Sequence, residues 1–293
     1  MIELVELIGL PVLLVILNFI LLVLFFNTLI KVKTIQKNFR ELVRALAKSN
    51  YLRICPRQDV EKEKKKLIQI VIPAYNEEET IADVLKRIPS ELSGYKIEPL
   101  IVVDGSTDNT DKIVEKMGYR YVKHVINLGQ GDALRTGFEI ALKNGADIIV
   151  TMDADGQHLP EELERVIKPI INGEADFVIG SRFLGKFEKE SNIRYIGIKF
   201  FTWLINLLTG IKITDCTSGY RAFSAEALKK LELREDRFNA PELIIDAAKK
   251  GLRIKEVPVT IVRRKGGQTK KPRLGYAWGL CKTVIKTWLR RSR

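Results

Sequence analysis

An α/β fold built on a mostly parallel, doubly wound sheet is the expectation for this chain, and three observations carry it. Between residues 67 and 180, short apolar, β-branched runs alternate with stretches of helical periodicity, the pattern of repeated βα units. Clusters rich in Asp, Gly, Ser and Asn follow the apolar runs, at the strand ends where such sheets bind ligands. The 293 residues, 46% of them apolar, suffice for one large domain or two small ones.

The first element differs in kind. Leu7 to Ile30, "LIGLPVLLVILNFILLVLFFNTLI", is 24 residues without a charge, and about 1.5 Å per residue carries it across a hydrocarbon core of roughly 30 Å. Acidic Glu3 and Glu6 precede it and no small-residue cleavage site follows. Residues 1–30 therefore read as an uncleaved membrane anchor helix, not a signal peptide.

Residues 31–66 form a basic juxtamembrane helix and linker with a net charge of +8. Ile35, Phe39, Leu42 and Leu46 recur at helical spacing, so this helix either rides on a membrane surface or packs on the domain that follows. The positive flank predicts that the body of the protein is cytoplasmic.

Residues 67–262 are the expected catalytic domain. "LIQIVIP", "PLIVVD", "YRYVKHV", "ADIIVTM" and "ADFVIG" read as strands. "EEETIADVLKRI", "TDKIVEKM", "QGDALRTGFEIALKN" and "PEELERVIKPIING" read as the helices between them. "YIGIKFFTWLINLLTGI", short for a span and interrupted by Lys199, reads as an interfacial helix, with a core helix as the alternative. Residues 263–293 carry a net +11 and hold a basic loop and an amphipathic helix with Trp278 and Trp288, a composition suited to lipid headgroups.

Charge and cysteine content exclude several classes. The net +13 is concentrated beside the anchor and in the tail, leaving the catalytic region acidic. That distribution suits an anionic membrane surface and argues against nucleic acid as a partner. Cys55, Cys216 and Cys281 lie far apart and form no zinc pattern with His124 and His158.

Chemistry concentrates in "TMDADGQH", residues 151–158. In an extended chain Asp153, Asp155 and Gln157 would point the same way. They form a set of hard oxygen ligands for Mg²⁺ or Mn²⁺. The motif is no EF-hand loop: its fourth residue, Gly156, stands where that loop has no glycine, and a strand precedes it. There is no Walker A sequence, no G-x-S-x-G elbow, and Leu134 stands where a dinucleotide fingerprint needs its third glycine. A two-carboxylate site is completed by substrate phosphates and water. A diphosphate leaving group is the chemistry that needs one.

Seven blocks in order, "VIPAYNEEETI", "VVDGSTDNT", "NLGQGDALRTGF", "MDADGQH", "GSRF", "DCTSGYRAF" and "RKGGQTK", resemble the inverting GT-A glycosyltransferases. Within them the chain is most similar to the dolichyl-phosphate mannose and glucose synthase group, over about residues 67–272. The resemblance implies a GT-A, Rossmann-like fold. It implies transfer of a hexose from a nucleotide-diphosphate sugar to a dolichyl or polyprenyl phosphate, for protein or cell-surface glycosylation. It implies that Pro73, Tyr75 and Glu77 cradle the nucleotide and that Asp104 contacts the base or ribose. Asp153, Asp155 and Gln157 would hold the metal, Asp155 being catalytic, with Ala154 along the sugar nucleotide. Arg182 and Arg194 would grip the acceptor phosphate, and Arg264 and Lys270 match a late basic pair. The group commonly has two adjacent Asp residues before "GS", and this chain has only Asp104, so UDP and GDP both remain open.

Other residues carry plainer readings. Ser106 and Asp108 suit a helix cap. His158 suits a structural role beside the motif, Asp215 is a minor catalytic candidate, and Glu242 belongs either to the site or to a solvated helix face. A processive polysaccharide synthase would need several spans and a Q-x-x-R-W motif, and a nucleotidyltransferase a Gly-rich loop after its first strand; neither is present. A glycosyltransferase with another lipid or glycan acceptor, and a non-catalytic nucleotide-binding membrane subunit, are the alternatives.

Overall fold

The computed structural model describes residues 2–54, 66–187, 192–235, 238–263 and 273–290; side chains at 2–11, 53–54 and 273–276 fall outside that description. The chain divides into two units, Met1–Ala45 and Leu46–Arg293. The described residues of the first unit are all helix, the leading part of α1 (Ile2–Ile54). This helix is long and apolar enough to cross a membrane. Three of its polar side chains bond back to the helix itself: Asn18, Thr28 and Thr34 donate to the carbonyls of Leu14, Leu24 and Ile30.

In the second unit the end of α1 packs on the domain. Ala47 and Tyr51 are buried in its core, Lys48 pairs with Glu139, and Asn144 Nδ2 donates to Tyr51 Oη. The open choice for this segment is thereby decided for residues 47–51. Leu46, one of the apolar positions singled out by spacing, is exposed instead.

The remaining elements are β1 (Leu67–Ala74), α2 (Ile81–Lys86), β2 (Glu91–Leu92), β3 (Tyr95–Asp104), α3 (Thr110–Lys116), β4 (Tyr121–His124), α4 (Gln130–Lys143), β5 (Ile148–Thr151), α5 (Leu163–Ile171), β6 (Phe177–Phe187), α6 (Asn192–Thr209), β7 (Arg221–Ser224), α7 (Ala225–Lys230), α8 (Asn239–Lys249), β8 (Ile254–Ile261) and α9 (Arg273–Leu289). They form one sheet in the order β4-β3-β1-β5-β7-β6-β8, with β2 also on the β3 edge. The neighbours β4, β3, β1 and β5 are parallel, and β6 is parallel to β8. β7 alone runs against β5 and β6.

The β1, β3 and β5 runs are buried on both faces because helices cover both. α4, α6, α8 and α9 contribute to one core and α2, α3 and α5 to the other. The doubly wound expectation is met. β7 and β8 carry no clear strand signal, since "RAFS" is short and opens on an arginine, and "IKEVPVTI" holds two charges and Pro258. Proline is tolerated there because β8 lies at the sheet edge.

The tail helix docks through charge. Glu242, weighed as a site residue or a solvated one, is neither. It is fully buried, and its Oε1 accepts from Arg290 Nη1 at 2.8 Å while Oε2 accepts from the backbone N–H groups of Arg234 and Glu235. Arg290 Nη2 also reaches Asp246 at 3.2 Å. Leu280, Thr283, Val284 and Thr287 are buried against the domain, and Trp288 Nε1 donates to Leu208 O at the end of α6. Trp278, Ile285 and Leu289 stay exposed.

Candidate active site

The C-terminal ends of the parallel strands assemble the site, beginning with two loops sewn together. The loop after β1 meets the loop after β3 through Asn76 N to Ser106 Oγ, Thr107 N to Asn76 Oδ1, Glu77 N to Thr110 Oγ1, and Glu78 N to Asp108 Oδ2. Asp108 Oδ1 also accepts from Thr110 N, an Asx turn just ahead of α3; the cap position itself is Asn109, so neither Ser106 nor Asp108 is the helix cap. These side chains spend their polar groups on each other. The loop conformation is therefore set before any ligand arrives. Pro73, Tyr75 and Glu77 are half-buried along this seam, and the Glu77 carboxylate accepts from Thr80 Oγ1 at 3.0 Å.

Asp104 does not face this surface, which corrects its assignment to the base or ribose. It is 3% exposed. Its Oδ1 accepts from His124 Nδ1 at 2.7 Å and from Leu128 N at 3.0 Å, and its Oδ2 from Gly129 N at 2.7 Å. His124 Nε2 in turn meets Thr136 Oγ1 at 3.0 Å. Asp104 thus fixes the loop that leads into α4, and its carboxylate oxygens are spent on His124, Leu128 and Gly129.

The acidic motif follows β5. It forms a turn, not an extended strand end, so alternation is not what gathers its side chains. Gly156 lies at φ +75°, and Gln157 N donates to Asp155 Oδ1, an Asx turn. Asp153 Oδ1 accepts from Gln130 Nε2 at 3.0 Å. Gln157 is tied to the end of β8, its Nε2 donating to Val262 O. Ala154 is 2% exposed and its methyl group packs in the core.

His158 is buried and structural. Its ring stacks on Tyr220 with centroids 5.1 Å apart, and its Nδ1 accepts from Asp153 N. The proton is therefore on Nε2, 3.9 Å from Asp153 Oδ2. Burial pushes its pKa down and favours the neutral ring.

Among the described residues no cluster of three or more His, Cys, Asp or Glu side chains stands ready as a complete metal site. The donors present still fit a hard divalent ion that shares its coordination with a substrate. Asp153 and Asp155 are half-exposed carboxylates on one turn, and Asp153 has no Lys or Arg within ion-pair distance among the described residues.

The other wall comes from β6 and the loop before β7. Arg182 is held by Asp215, which is fully buried: Nε donates to Oδ2 at 2.6 Å, and Nη2 donates to Thr217 Oγ1 at 3.3 Å. Glu256 accepts from Thr214 N and Asp215 N and fixes this loop; burial raises its pKa. Asp215, a minor candidate from sequence, is thus the partner that aims Arg182. Arg194 is exposed on the first turn of α6. The residues beside the two arginines are in ring contact, Phe183 against Tyr195 with centroids 5.5 Å apart, so β6 and α6 meet at this point. Arg264 and Lys270 lie outside the described residues.

The segment "SGYR" is the part of the site that sequence reasoning missed. A Cβ on Gly219 would stand 2.8 Å from Asp153 Oδ2 and 3.1 Å from His158 Cε1. Tyr220 supports His158, and Arg221 is fully buried beside them. A glycine at this close approach to a carboxylate was the available signal. Gly219→Ala is expected to displace the Asp153 carboxylate and to lower turnover at least tenfold, while the melting temperature falls by only a few degrees. Unchanged turnover with a folded protein would remove Asp153 from the site.

A family model described as Glycosyl transferase family 2 matches residues 69–232. The UDP-N-acetylglucosamine--dolichyl-phosphate N-acetylglucosaminyltransferase of Methanococcus voltae is 38% identical over 223 residues, covering 67% of this chain and 86% of its own. The polyprenol monophosphomannose synthase of Mycolicibacterium smegmatis is 32% identical over 213 residues, covering 69% of this chain and 79% of its own. Among solved structures, the glucosyl-3-phosphoglycerate synthase of Mycobacterium tuberculosis, crystallised with Mn²⁺, UDP-glucose and phosphoglyceric acid, aligns over 77% of this chain and 80% of that one. The TM-score is 0.61 at 21% identity, a likeness of fold.

Proposed function

Because this chain belongs to glycosyl transferase family 2, we propose that it transfers a hexose from a nucleotide-diphosphate sugar to a polyprenyl or dolichyl phosphate, with inversion. The observation that carries this reading is the setting of Arg182. A guanidinium aimed by a buried carboxylate stands on β6, next to a helix whose outer face is apolar. On α6, Ile193, Ile196, Phe200, Trp203 and Leu207 are exposed while Ile198, Phe201 and Ile205 are buried. Phosphate grip and lipid contact thus adjoin. The relatives that act on dolichyl or polyprenol phosphate support the same acceptor class.

The chemistry follows from the residues. A lipid phosphate monoester has a second pKa of about 6 and is already anionic at neutral pH, so it attacks the anomeric carbon without a general base. The new bond joins a phosphate oxygen to that carbon, and the bond to the donor's diphosphate breaks, the nucleoside diphosphate leaving with the electron pair. Arg182 and Arg194 orient the acceptor and offset its repulsion from the donor, for which a planar fork of donors suits phosphate better than a point charge. Pro73, Tyr75 and Glu77 border the nucleotide, and the two stitched loops keep that edge rigid. Asp153 and Asp155, with Gln157 beside them, would hold Mg²⁺ or Mn²⁺, which offsets the charge that develops on the leaving diphosphate.

We place α1 in the membrane and the catalytic unit on its cytoplasmic side, with the apolar faces of α6 and α9 resting on the lipid. Trp278 on α9 and Trp203 on α6 are exposed, and exposed tryptophan flanked by Lys and Arg suits the headgroup region.

Arg194→Ala separates acceptor from donor. Arg194 is exposed, so its loss leaves the fold intact. The acceptor concentration for half-maximal rate should rise about ten- to a hundredfold, the worth of one charge-assisted hydrogen bond. Donor affinity should change little. Polyprenyl phosphate titrated at saturating donor checks this, with each nucleotide sugar tried in turn. Lost donor affinity with normal acceptor dependence would assign Arg194 to the diphosphate. Absence of transfer to any lipid phosphate, with transfer to another acceptor, would overturn the acceptor class.

A further inference from the structure

Arg182 is aimed by the buried carboxylate of Asp215. Arg194 stands on the first turn of α6, so its place depends on how that turn meets β6. Ile198, Phe201, Thr202 and Ile205 are the residues of α6 buried in the domain, and the core therefore holds this helix from Ile198 onward. Ahead of them Asn192, Ile193 and Arg194 are exposed, and Tyr195 is half-buried. The Tyr195 ring meets Phe183 in a T-shape at 5.5 Å and stacks on Phe187 at 6.2 Å. Phe183 and Phe187 meet each other in a T-shape at 5.4 Å. Lys199, one turn along α6 from Tyr195, places its Nζ 3.9 Å from the centre of the Phe183 ring, a cation–π contact.

The path of β6 makes this cluster possible. Its ladder with β8 runs to Ser181 opposite Pro258 and resumes at Lys186 opposite Thr260. Residues 182–185 thus face Val259 alone, a bulge in β6. On a regular strand Phe183 and Phe187 would stand about 13 Å apart; the bulge brings their rings together. Gly185 lets the bulge close, since a Cβ there would meet Val259 O at 2.2 Å. Arg182 opens the bulge, and the ring that follows it reaches the first turn of α6.

We propose that the cluster of Phe183, Phe187 and Tyr195 holds Arg194 opposite Arg182, so that two guanidinium groups close on one phosphate. Phe183 is a positioning residue in this role and touches no substrate. The fixed separation also selects the acceptor. A phosphate monoester carries its charge on one phosphorus, where both arginines can meet it, and a diphosphate spreads its charge over two. The inference rests on the reading of Arg182 and Arg194 as the grip on the acceptor phosphate.

The test is a double-mutant cycle on the full chain, read as the polyprenyl phosphate concentration that gives half-maximal transfer at saturating donor. Phe183→Ala should raise that concentration about tenfold, within the roughly hundredfold that a misplacement of about 1 Å can cost. Donor affinity should stay within about threefold of the parent. With Arg194→Ala already in place, Phe183→Ala should add no more than about threefold, because the residue it positions is gone. The preference for polyprenyl phosphate over polyprenyl diphosphate, added as competitor, should shrink about tenfold in Phe183→Ala. Phe183→Tyr keeps the ring and should restore acceptor dependence. If Phe183→Ala does not fold, Phe183→Leu removes the ring while keeping apolar volume, and the same cycle is run with it. Effects of the two substitutions that add in full overturn the proposal. So does a lower melting temperature with unchanged acceptor dependence, since the rings would then serve packing alone. If Arg194→Ala itself leaves acceptor dependence unchanged, the phosphate assignment of Arg194 fails first, and this inference with it.

Discussion

Asp155→Asn is expected to abolish transfer while leaving the protein folded. Asparagine keeps the oxygen that accepts from Gln157 N, and it suits an Asx turn as well as aspartate does, so the turn after β5 survives. What is lost is a negative charge at the site assigned to the cation. Charge stabilisation of a leaving group by a bound metal is worth several kcal/mol, and about 4 kcal/mol corresponds to roughly a thousandfold in rate. The melting temperature should move by no more than a few degrees. The check is initial-rate transfer beside a thermal melt, with the parent enzyme assayed in excess chelator. Normal turnover by the variant, or full parental activity in chelator, would sink the cation assignment.

Arg182→Ala should behave differently, losing stability together with activity. Arg182 is the ion-pair partner of Asp215, which is fully buried. Removing one member of a buried pair leaves an uncompensated charge, at about 3–5 kcal/mol. For a domain of this size that is roughly a 10 °C fall in melting temperature. Adding Asp215→Asn removes the stranded charge and should restore most of the stability without restoring transfer. The residual oxygen still accepts from Thr217 N, as Asp215 Oδ1 does. Thermal melts of both single variants and the double variant form the cycle. An unchanged melting temperature in Arg182→Ala would show that Asp215 is satisfied by Thr217 and its neighbours, and that the pair is not what aims the arginine.

The exposed Arg194 and the half-buried Arg182 therefore give distinct signatures, although sequence alone assigned both to one acceptor phosphate. The same contrast runs through the molecule. Apolar, β-branched runs such as "LIQIVIP" and "ADIIVTM" report burial directly, because a strand covered on both faces must be apolar throughout. That is why β1, β3, β5 and most helices were legible, and with them the end of β5, after which Asp153 and Asp155 stand; Arg182 lies within β6, which runs on to Phe187. The 24-residue charge-free run was legible from its length and composition, which suffice to cross a hydrocarbon core. Each of these signals lies within one segment of chain.

Partners are a different matter. Arg182 meets Asp215 across 33 residues and Glu242 meets Arg290 across 48, and no periodicity records such a meeting. Sequence could list Asp104 as a strand-end carboxylate. Only the packing of β4 and its loop against β3 turned it inward onto His124, Leu128 and Gly129. Alternation in the acidic motif suggested an extended chain, and the turn at Gly156 replaced it. β7 lacked a signal of its own because a short strand flanked by two neighbours takes its stability from their ladders. Local composition thus determined which segments are buried and where the strands end. Which charges face each other there was decided by the tertiary structure, because Coulomb energy depends on distance through space and not on separation along the chain.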